Sequence, residues 1–403
     1  MGEAEQVVVR IEPRMKNIEP EKWDACANPA QSHEDSGRAY NPFISHAFLC
    51  ALEESGSATA DTGWAPQHLL LEDVDGSVLG CMPCYLKSHS QGEYVFDYGW
   101  ADAFERAGGR YYPKLQSSIP FTPVTGRRFL VPETPDMHER ERYLLNGAAT
   151  LLERYKASSL HVTFLTRDEW DRAGKTGLLR RMDRQFHWRN QDFETFDDFL
   201  ASLTSRKRKL IRRERRDALG DGIAIRLLTG RDITEAHWDA FFDFYTDTGS
   251  RKWGHPYLTR EFFSLAGESM AERTLLILCE RAGRPIAGAL NFIGGKTLYG
   301  RYWGCLEDHR FLHFEACYYQ AIEYAIAHGL KTVEAGAQGP HKLARGYVPR
   351  ETYSAHLIAN PSLRDAVAEY LEQERDYVAM ENEELSRHAP YRASGGEPVD
   401  DDA

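Results

Sequence analysis

An internal repeat is the feature that most constrains how this 403-residue chain folds. Two similar series of segments follow one another in the same order, about half a chain apart. Trp23 in IEPEKWDA corresponds to Trp238 in ITEAHWDA, and NPFISHAF corresponds to HPYLTREF. The order is kept further on, where Trp100 falls opposite Trp303. The repeat therefore predicts one fold used twice.

Local patterns give the two copies the same plan of elements. Apolar alternation at 7–11 and 223–227 predicts a first strand in each copy. Asp75-Gly76 and Ala282-Gly283 are typical of tight turns between strands. The remaining patterns predict helices near 19–26, 42–54, 138–156, 232–247, 257–268 and 314–325, and strands near 160–165, 186–192, 331–336 and 352–359. This order resembles the GNAT acyltransferase fold, an α/β fold with a mixed sheet, here duplicated in tandem.

The repeat also predicts the domain organisation. We expect a first GNAT-like domain over 1–192, with an inserted loop at about 101–137, and a second over 193–390. The insertion is rich in Gly, Pro and aromatic residues, and a connection of that length is usually functional or disordered. Leu363, Val367 and Leu371 predict an amphipathic C-terminal helix packed on the body. The acidic residues 391–403 are expected to be disordered.

Composition limits the class of protein. Lys and Arg number 49 against 61 Asp and Glu, which gives a formal net charge of −12 and argues against a DNA-coating protein. Seven cysteines without regular spacing favour a reducing compartment, and Cys81 and Cys84 are expected to be buried thiols. The chain has no signal-peptide pattern at its start and no apolar run of membrane-spanning length. We therefore expect a cytoplasmic protein without a transmembrane segment.

Segment 205–216, SRKRKLIRRERR, departs from this acidic background. It carries eight basic residues and one acidic residue. At helical spacing Arg208, Arg212 and Arg215 share one face, where Arg forks are suited to phosphate oxygens. The segment predicts an anion site for phosphate or an RNA backbone, and the alternative is a solvated helix paired with protein carboxylates.

The loop after the penultimate strand of copy two, EAGAQGPHKLARGY, is the main candidate for chemistry. Acyl transfer to an amine needs a group that accepts the amine proton and donors that stabilise the oxyanion. We expect His341 to be the base, Lys342 and Arg345 to hold an oxyanion or phosphate, and Gln338 to bind substrate. The corresponding loop of copy one lacks this cluster, so copy two is expected to carry the chemistry.

The strand-to-helix junction of copy two supplies further candidates. Tyr302 and Trp303 are expected to line a cleft between the copies, and Glu315, one turn into the helix, is a further candidate base. Acetyl-CoA-binding GNAT proteins wrap the pyrophosphate with a Gly-rich turn here, but residues 307–313 contain no glycine. The sequence predicts no metal site, since His309 and His313 have no third ligand placed by spacing.

Several strings carry a resemblance to one family. YYPKLQSSIPFTPVTGRR, KWGHPYLTREFF, YGRYWG and EAGAQGPHKLARGYVPRETYSAH resemble the FemAB-like predicted N-acyltransferases, also called peptidoglycan biosynthesis/recognition proteins. The resemblance implies transfer of an acyl or aminoacyl group to an amine of a muropeptide-like acceptor, with aminoacyl-tRNA or acyl-CoA as donor and no certain cofactor. Tyr112, Lys114 and Arg127 of the insertion are then expected to close over the acceptor. The alternatives are an acetyl-CoA-dependent N-acetyltransferase of a small amine and a non-catalytic binding protein for an anionic ligand.

Overall fold

The computed structural model describes residues 7–29, 38–220, 222–252, 256–336 and 339–392. The strands within these ranges, in chain order, are β1 (Val8–Glu12), β2 (Trp64–Pro66), β3 (His68–Glu72), β4 (Val78–Met82), β5 (Tyr85–Lys87), β6 (Lys114–Ser117), β7 (Ser159–Leu165), β8 (Leu179–Arg189), β9 (Ile223–Thr229), β10 (Thr274–Arg281), β11 (Arg284–Ile293), β12 (Thr297–Cys305), β13 (Thr332–Glu334) and β14 (Val348–Ile358).

The helices surround these strands. They are α1 (Pro20–Ala27), α2 (His46–Glu54), α3 (Tyr98–Arg106), α4 (Met137–Tyr155), α5 (Arg167–Lys175), α6 (Phe196–Ser202), α7 (Ser205–Ala218), α8 (Glu235–Lys252), α9 (Arg260–Ser269), α10 (Leu312–Phe314), α11 (Gln320–Ala327) and α12 (Pro361–Arg387). A π-helical segment, Glu315–Tyr319, joins α10 to α11. No helix in the described part of the chain is long and apolar enough to span a membrane.

Local signals in the sequence correspond to these elements. Gly76 and Gly283 have φ of +79° and +74°, which is the left-handed region required at the two tight turns. The helix near 138–156 and the basic helix over 205–216 are both present, as α4 and α7. Residues 393–403 of the acidic tail lie outside the described residues. The expected elements of the repeat are therefore largely confirmed.

One equivalence within the repeat is wrong. Trp303 lies in β12, whereas Trp100 lies in α3, an amphipathic helix that begins the insertion. The indole of Trp100 packs with Ile358 and Leu363 near the C-terminal helix. The inserted segment is ordered and contributes α3 and β6, so the first half resumes the repeat at β6 rather than at Trp100.

The sheets connect the two halves by exchanging their last strands. A three-stranded sheet has the order β1-β3-β4, and an eleven-stranded sheet has the order β2-β5-β6-β7-β14-β8-β13-β12-β11-β10-β9. Strand β14 of the second half pairs with β7 and β8 of the first half, and β8 pairs with β13 of the second. Each half therefore completes the sheet of the other.

Aromatic packing reinforces this connection on one face of the sheet. Phe43 and Phe48 of the first half contact Phe292 at ring-centroid distances of 5.3 and 5.5 Å, and Phe48 also contacts Phe262. All four side chains are buried within one hydrophobic cluster. Such edge-to-face contacts add to the stabilisation from burial, so the two halves share one core.

Candidate functional site

The candidate active site begins where two parallel strands of the second half separate. Strands β12 and β13 pair from Thr297 and Thr332 to Tyr299 and Glu334, and the pairing ends there. A cavity of about 110 Å³ opens beyond the last pair, between the strands and the π-helical segment. Its walls include backbone and side chains of β11, β12 and the helix: Asn291, Gly300, Arg301, Tyr302, Trp303, His313, Cys317, Tyr318 and Ala335.

Two further cavities adjoin this one. A groove of about 380 Å³ runs along the strand-to-helix turn and shares Trp303 and His313 with the small cavity. A cleft of about 810 Å³ lies between β8, β14 and α12, and His341 lines it. The phenol of Tyr318, a residue of the small cavity, lies 3.0 Å from Nε2 of His341. The small cavity therefore sits between a groove on one side and a large cleft on the other.

His341 lies at this junction, on the 3-10 turn Pro340–Arg345, and Lys342 follows it. Lys342 lines none of the three cavities, but it lies near Arg301 and Cys317 of the small cavity, whose charges act on it. Lys342 is 1 % exposed, and its Nζ donates a hydrogen bond of 2.8 Å to the carbonyl oxygen of Gly336. Burial, and then the nearby charge of Arg301, lower the pKa of Lys342 to about 7. Burial and the cations Arg345 and Lys342 also lower the pKa of His341. Both side chains are thus suited to accept a proton near neutral pH.

Arg345 and Glu315 have structural partners instead. Arg345 is 5 % exposed and makes a bidentate ion pair with Glu214 of α7, with Nη2–Oε1 at 2.7 Å. Glu315 is fully buried and accepts hydrogen bonds from Arg215 of α7 and from Gln320. Neither residue lines the three cavities. The pair of Glu315 with Arg215 therefore holds α7 against the π-helical segment, and the pair of Arg345 with Glu214 holds α7 against the Lys342 turn.

The remaining predicted substrate residues divide into two groups. Tyr302 and Trp303 line the small cavity, which is formed by residues of the second half and is not the expected cleft between the copies. Tyr112, Lys114 and Arg127 do not line any of the three cavities. Lys114 is fully buried and bonds to Ser90, Glu93 and Asp97, because the insertion folds into the sheet instead of covering it. Gln338 lies outside the described residues.

The insertion residues on either side of Lys114 are likewise held by the first half. The phenol of Tyr112 lies 2.8 Å from Oγ of Ser90. Arg127 is buried and donates to the carbonyl oxygens of Val131, Cys26 and Ala27. These contacts leave the guanidinium of Arg127 turned into the protein.

In the first half, a side chain occupies the position that corresponds to the small cavity of the second half. Its parallel strands β6 and β7 pair as far as Ser117 and Val162. The buried guanidinium of Arg128 lies beyond that pair and donates to the carbonyl oxygens of Thr163 and Val124 at 2.9 and 2.6 Å. Burial lowers the pKa of Arg128 to about 10, a value at which it stays charged near neutral pH. At its strand separation the first half therefore holds a buried guanidinium where the second half has a cavity.

Sequence reasoning missed two residues of the small cavity, Arg301 and Asn291. Arg301 of β12 has no pairing partner on β11, because Leu290 pairs with Tyr302 and the next residue, Asn291, pairs with Gly300. This β-bulge turns the Arg301 side chain toward the strand separation. A bulge of this kind has no clear signature in a single sequence, and Asn291 resembles an ordinary strand residue. No group of His, Cys, Asp and Glu that could hold a metal ion occurs in the described part of the chain.

A mixed sheet with separating parallel strands and a helix across the gap is the arrangement of an acyltransferase of duplicated GNAT architecture. The chain belongs to the FemAB-like family, described as peptidoglycan biosynthesis/recognition, whose model matches residues 14–393. Among curated proteins, none matches the chain significantly.

Two solved structures agree on the fold. FemX is 14% identical and superposes with a TM-score of 0.54, covering 87% of this chain and 98% of its own. The C-terminal domain of a putative lysylphosphatidylglycerol synthetase from Agrobacterium fabrum is 8% identical, with a TM-score of 0.50, covering 88% and 95%. A tandem GNAT protein from the clavulanic acid biosynthesis pathway is also similar, at 13% identity and a TM-score of 0.45, covering 88% and 99%.

Proposed function

We propose that the second half of the chain transfers a small acyl or aminoacyl group to an amine of a peptidoglycan-precursor-like acceptor. The acyl group would enter the small cavity, its carrier would lie along the 380 Å³ groove, and the acceptor would occupy the 810 Å³ cleft. The observation that carries this proposal is His341 in the wall of the cleft, which contacts Tyr318 of the small cavity and is followed by the buried Lys342.

The reaction needs few groups. The acceptor nitrogen forms a bond to the acyl carbon while its proton passes to the neutral amine of Lys342, directly or through His341. The bond from the acyl carbon to the carrier oxygen or sulfur then breaks, and the leaving group takes up that proton. The products are an amide and the free carrier, and Lys342 returns to its neutral state.

The turn along the groove favours an aminoacyl-tRNA donor over acyl-CoA. Residues 307–313 contain no glycine, and the groove presents the carboxylates of Glu307 and Asp308, of which Glu307 pairs with Arg281 and His309. Backbone amides approach a pyrophosphate most closely where glycines line the turn, so the absence of glycine disfavours binding of the CoA pyrophosphate by this turn.

The exposed face of α7 is the proposed contact for the donor's phosphates. Arg212 is 60% exposed and pairs only with Asp197, itself exposed, among the described residues. Arg208 has no ion pair within the described residues, and Arg206 and Lys209 are exposed on the same helix. Arg215 is instead committed to Glu315 and Glu323. An RNA backbone would bind such a face without base recognition.

The proposal is tested by offering the purified protein several donors with a panel of amines, including a muropeptide. Aminoacyl-tRNA and acyl-CoA are compared, and N-acylated products are measured by mass spectrometry. We expect an amide product from aminoacyl-tRNA. Product from acyl-CoA alone would refute the donor assignment, and no product from either donor would refute the transferase function.

A further inference from the structure

Two buried polar atoms in the wall of the small cavity have no partner. The side chain of Arg301 is 1% exposed, and its Nε makes no hydrogen bond with the described residues. Asn291 is fully buried, and its Oδ1 likewise accepts no hydrogen bond from them. Both residues line the cavity. What sets these two atoms apart from other unpaired buried atoms is that both residues line one cavity, where a single bound group could pair with the donor and the acceptor together.

The Arg301 guanidinium is held rigidly. Its Nη2 donates to Oε2 of Glu334 at 2.8 Å, and its Nη1 donates to the carbonyl oxygen of Gly300 at 2.9 Å. The rings of Phe43 and Tyr299 lie 5.3 and 5.2 Å from its central carbon. With both terminal nitrogens and the planar group fixed, the direction of the Nε hydrogen is fixed as well.

The Asn291 amide is also fixed in one orientation. Its Nδ2 donates to the carbonyl oxygens of Ala289 and Leu275 at 3.2 and 3.5 Å. Reversing the amide would place Oδ1 against these two carbonyl oxygens, so Oδ1 is the atom left open. Gly300 lies opposite, and a Cβ there would stand 3.1 Å from Oδ1. The absence of a side chain at Gly300 keeps space free beside this acceptor.

We propose that Arg301 and Asn291 form the recognition site for the acyl group, with Arg301 Nε donating to its carbonyl oxygen and Asn291 Oδ1 accepting from an N–H or O–H on the adjacent carbon. This inference rests on the proposed transferase function. The ligand class is a small acyl group with an α-amino or α-hydroxyl substituent. An acetyl group would leave Asn291 Oδ1 buried without a partner, and such sites reject analogues that lack the hydrogen-bonding group.

The same arrangement acts in the transfer step. When the acceptor nitrogen bonds to the acyl carbon, negative charge develops on the carbonyl oxygen. Arg301 Nε is a charged donor already in place, and donors fixed before the reaction stabilise such charge strongly. The charge disappears when the bond to the carrier breaks. Glu334 pairs with Arg301 and lines none of the three cavities, so it is a positioning residue.

The experiment compares glycyl, glycolyl and acetyl groups on the carrier that supports turnover. We expect the wild type to transfer glycyl or glycolyl groups at least about 10-fold faster, by kcat/KM, than acetyl. Asn291→Leu is expected to lower the glycyl and glycolyl rates at least about 10-fold and to change the acetyl rate little. Comparing kcat/KM for the glycyl group with that for the glycolyl group shows whether the preferred substituent is an amine or a hydroxyl. Asn146→Leu, at an exposed position of α4, is the matched control.

A second variant allows the same test if Asn291→Leu does not fold. Gly300→Ala places one methyl group beside Oδ1 and is expected to reproduce the selective loss with the fold retained. Equal transfer of the three acyl groups by the wild type, or an equal loss for all three in both variants, would overturn the recognition site while leaving the transferase function intact. Absence of transfer with every donor would instead refute the proposed function itself.

Discussion

At the scale of single residues, Lys342 links structure to chemistry most directly. Its ammonium has lost most of its hydration, and Gly336 supplies one carbonyl acceptor in return. Burial, with the charge of Arg301, therefore lowers the pKa of Lys342 to about 7. A lysine with this pKa is partly neutral at neutral pH and can take a proton from an incoming amine.

A pH profile tests this role. With an acceptor amine whose own pKa lies well below that of Lys342, kcat/KM is expected to rise with pH through about 7 and to level off above it, because the neutral form of Lys342 is the base. Lys342→Met should remove the rise and most of the activity. Lys331→Met, which changes an exposed lysine paired with Asp192, is the matched control. A rise through neutral pH that survives in Lys342→Met would assign the base to another group.

Single residues also show what one sequence can and cannot predict. Lys342 and His341 could be proposed from the sequence because a loop dense in donors follows a predicted strand, and the structure places His341 in the wall of the cleft. Arg127 and Lys114 looked similar in the sequence, but tertiary contacts with carbonyl groups and carboxylates bury them. Arg301 depends on a one-residue bulge, and pairing register is a long-range property that local pattern does not determine.

At the scale of elements, α7 has two faces with different tasks. Glu214 and Arg215 hold the Lys342 turn and the π-helical segment. Arg212 is exposed and pairs with the exposed Asp197, and Arg208 is half-buried without an ion pair among the described residues. The charge pattern of segment 205–216 predicted an anion site, but it did not separate these faces. The acidic partners of Arg215 and Arg345 lie about a hundred residues away in the chain, beyond the reach of local pattern.

The salt dependence of RNA binding tests the outer face of α7. Replacing Arg208 and Arg212 by Gln together is expected to weaken binding of uncharged tRNA and to reduce the slope of log K against log salt by about 0.7 to 0.9 for each phosphate that is no longer neutralised. Arg226→Gln, on β9 and paired with Glu280, is the control. Arg215→Gln is expected to lower stability instead. An unchanged slope in the double variant would make the basic face of α7 purely structural.

The closed strand separation of the first half gives a second prediction at this scale. Arg128→Met would leave four carbonyl oxygens, those of Val124, Gly126, Arg127 and Thr163, without their donor. We expect the free energy of unfolding to fall by about 3 kcal/mol, measured by denaturant titration. Arg110→Met, at an exposed position, should leave it unchanged. A loss of catalytic rate with stability retained would mean that the first half takes part in the reaction.

At the scale of the whole molecule, the two halves of the repeat form one folding unit. The internal repeat predicted the duplication, and the order of elements predicted a GNAT fold. Neither the repeat nor the order of elements predicted that β8 and β14 are exchanged between the two halves, because strand order in a sheet depends on contacts between distant parts of the chain. The exchange brings β8, β13 and β14 side by side next to the turn Pro340–Arg345.

Fragment complementation tests this organisation. Fragments 1–192 and 193–403 each lack a strand that lies inside the large sheet, and each leaves an unpaired edge. We expect neither fragment alone to show a cooperative thermal transition by circular dichroism, and the mixture to regain one. A cooperative transition in either isolated fragment would show that the exchange is dispensable for folding.

The central claim is that the open cavity of the second half, with Lys342 beside it, transfers an acyl group to an amine. The most direct measurement is single-turnover transfer from glycyl-tRNA to a muropeptide amine, followed by mass spectrometry, in the wild type, Lys342→Met and Lys331→Met. We predict amide product in the wild type and in Lys331→Met, and a rate at least about 100-fold slower in Lys342→Met, the usual loss when a general base is removed. Equal rates in all three proteins would contradict the account.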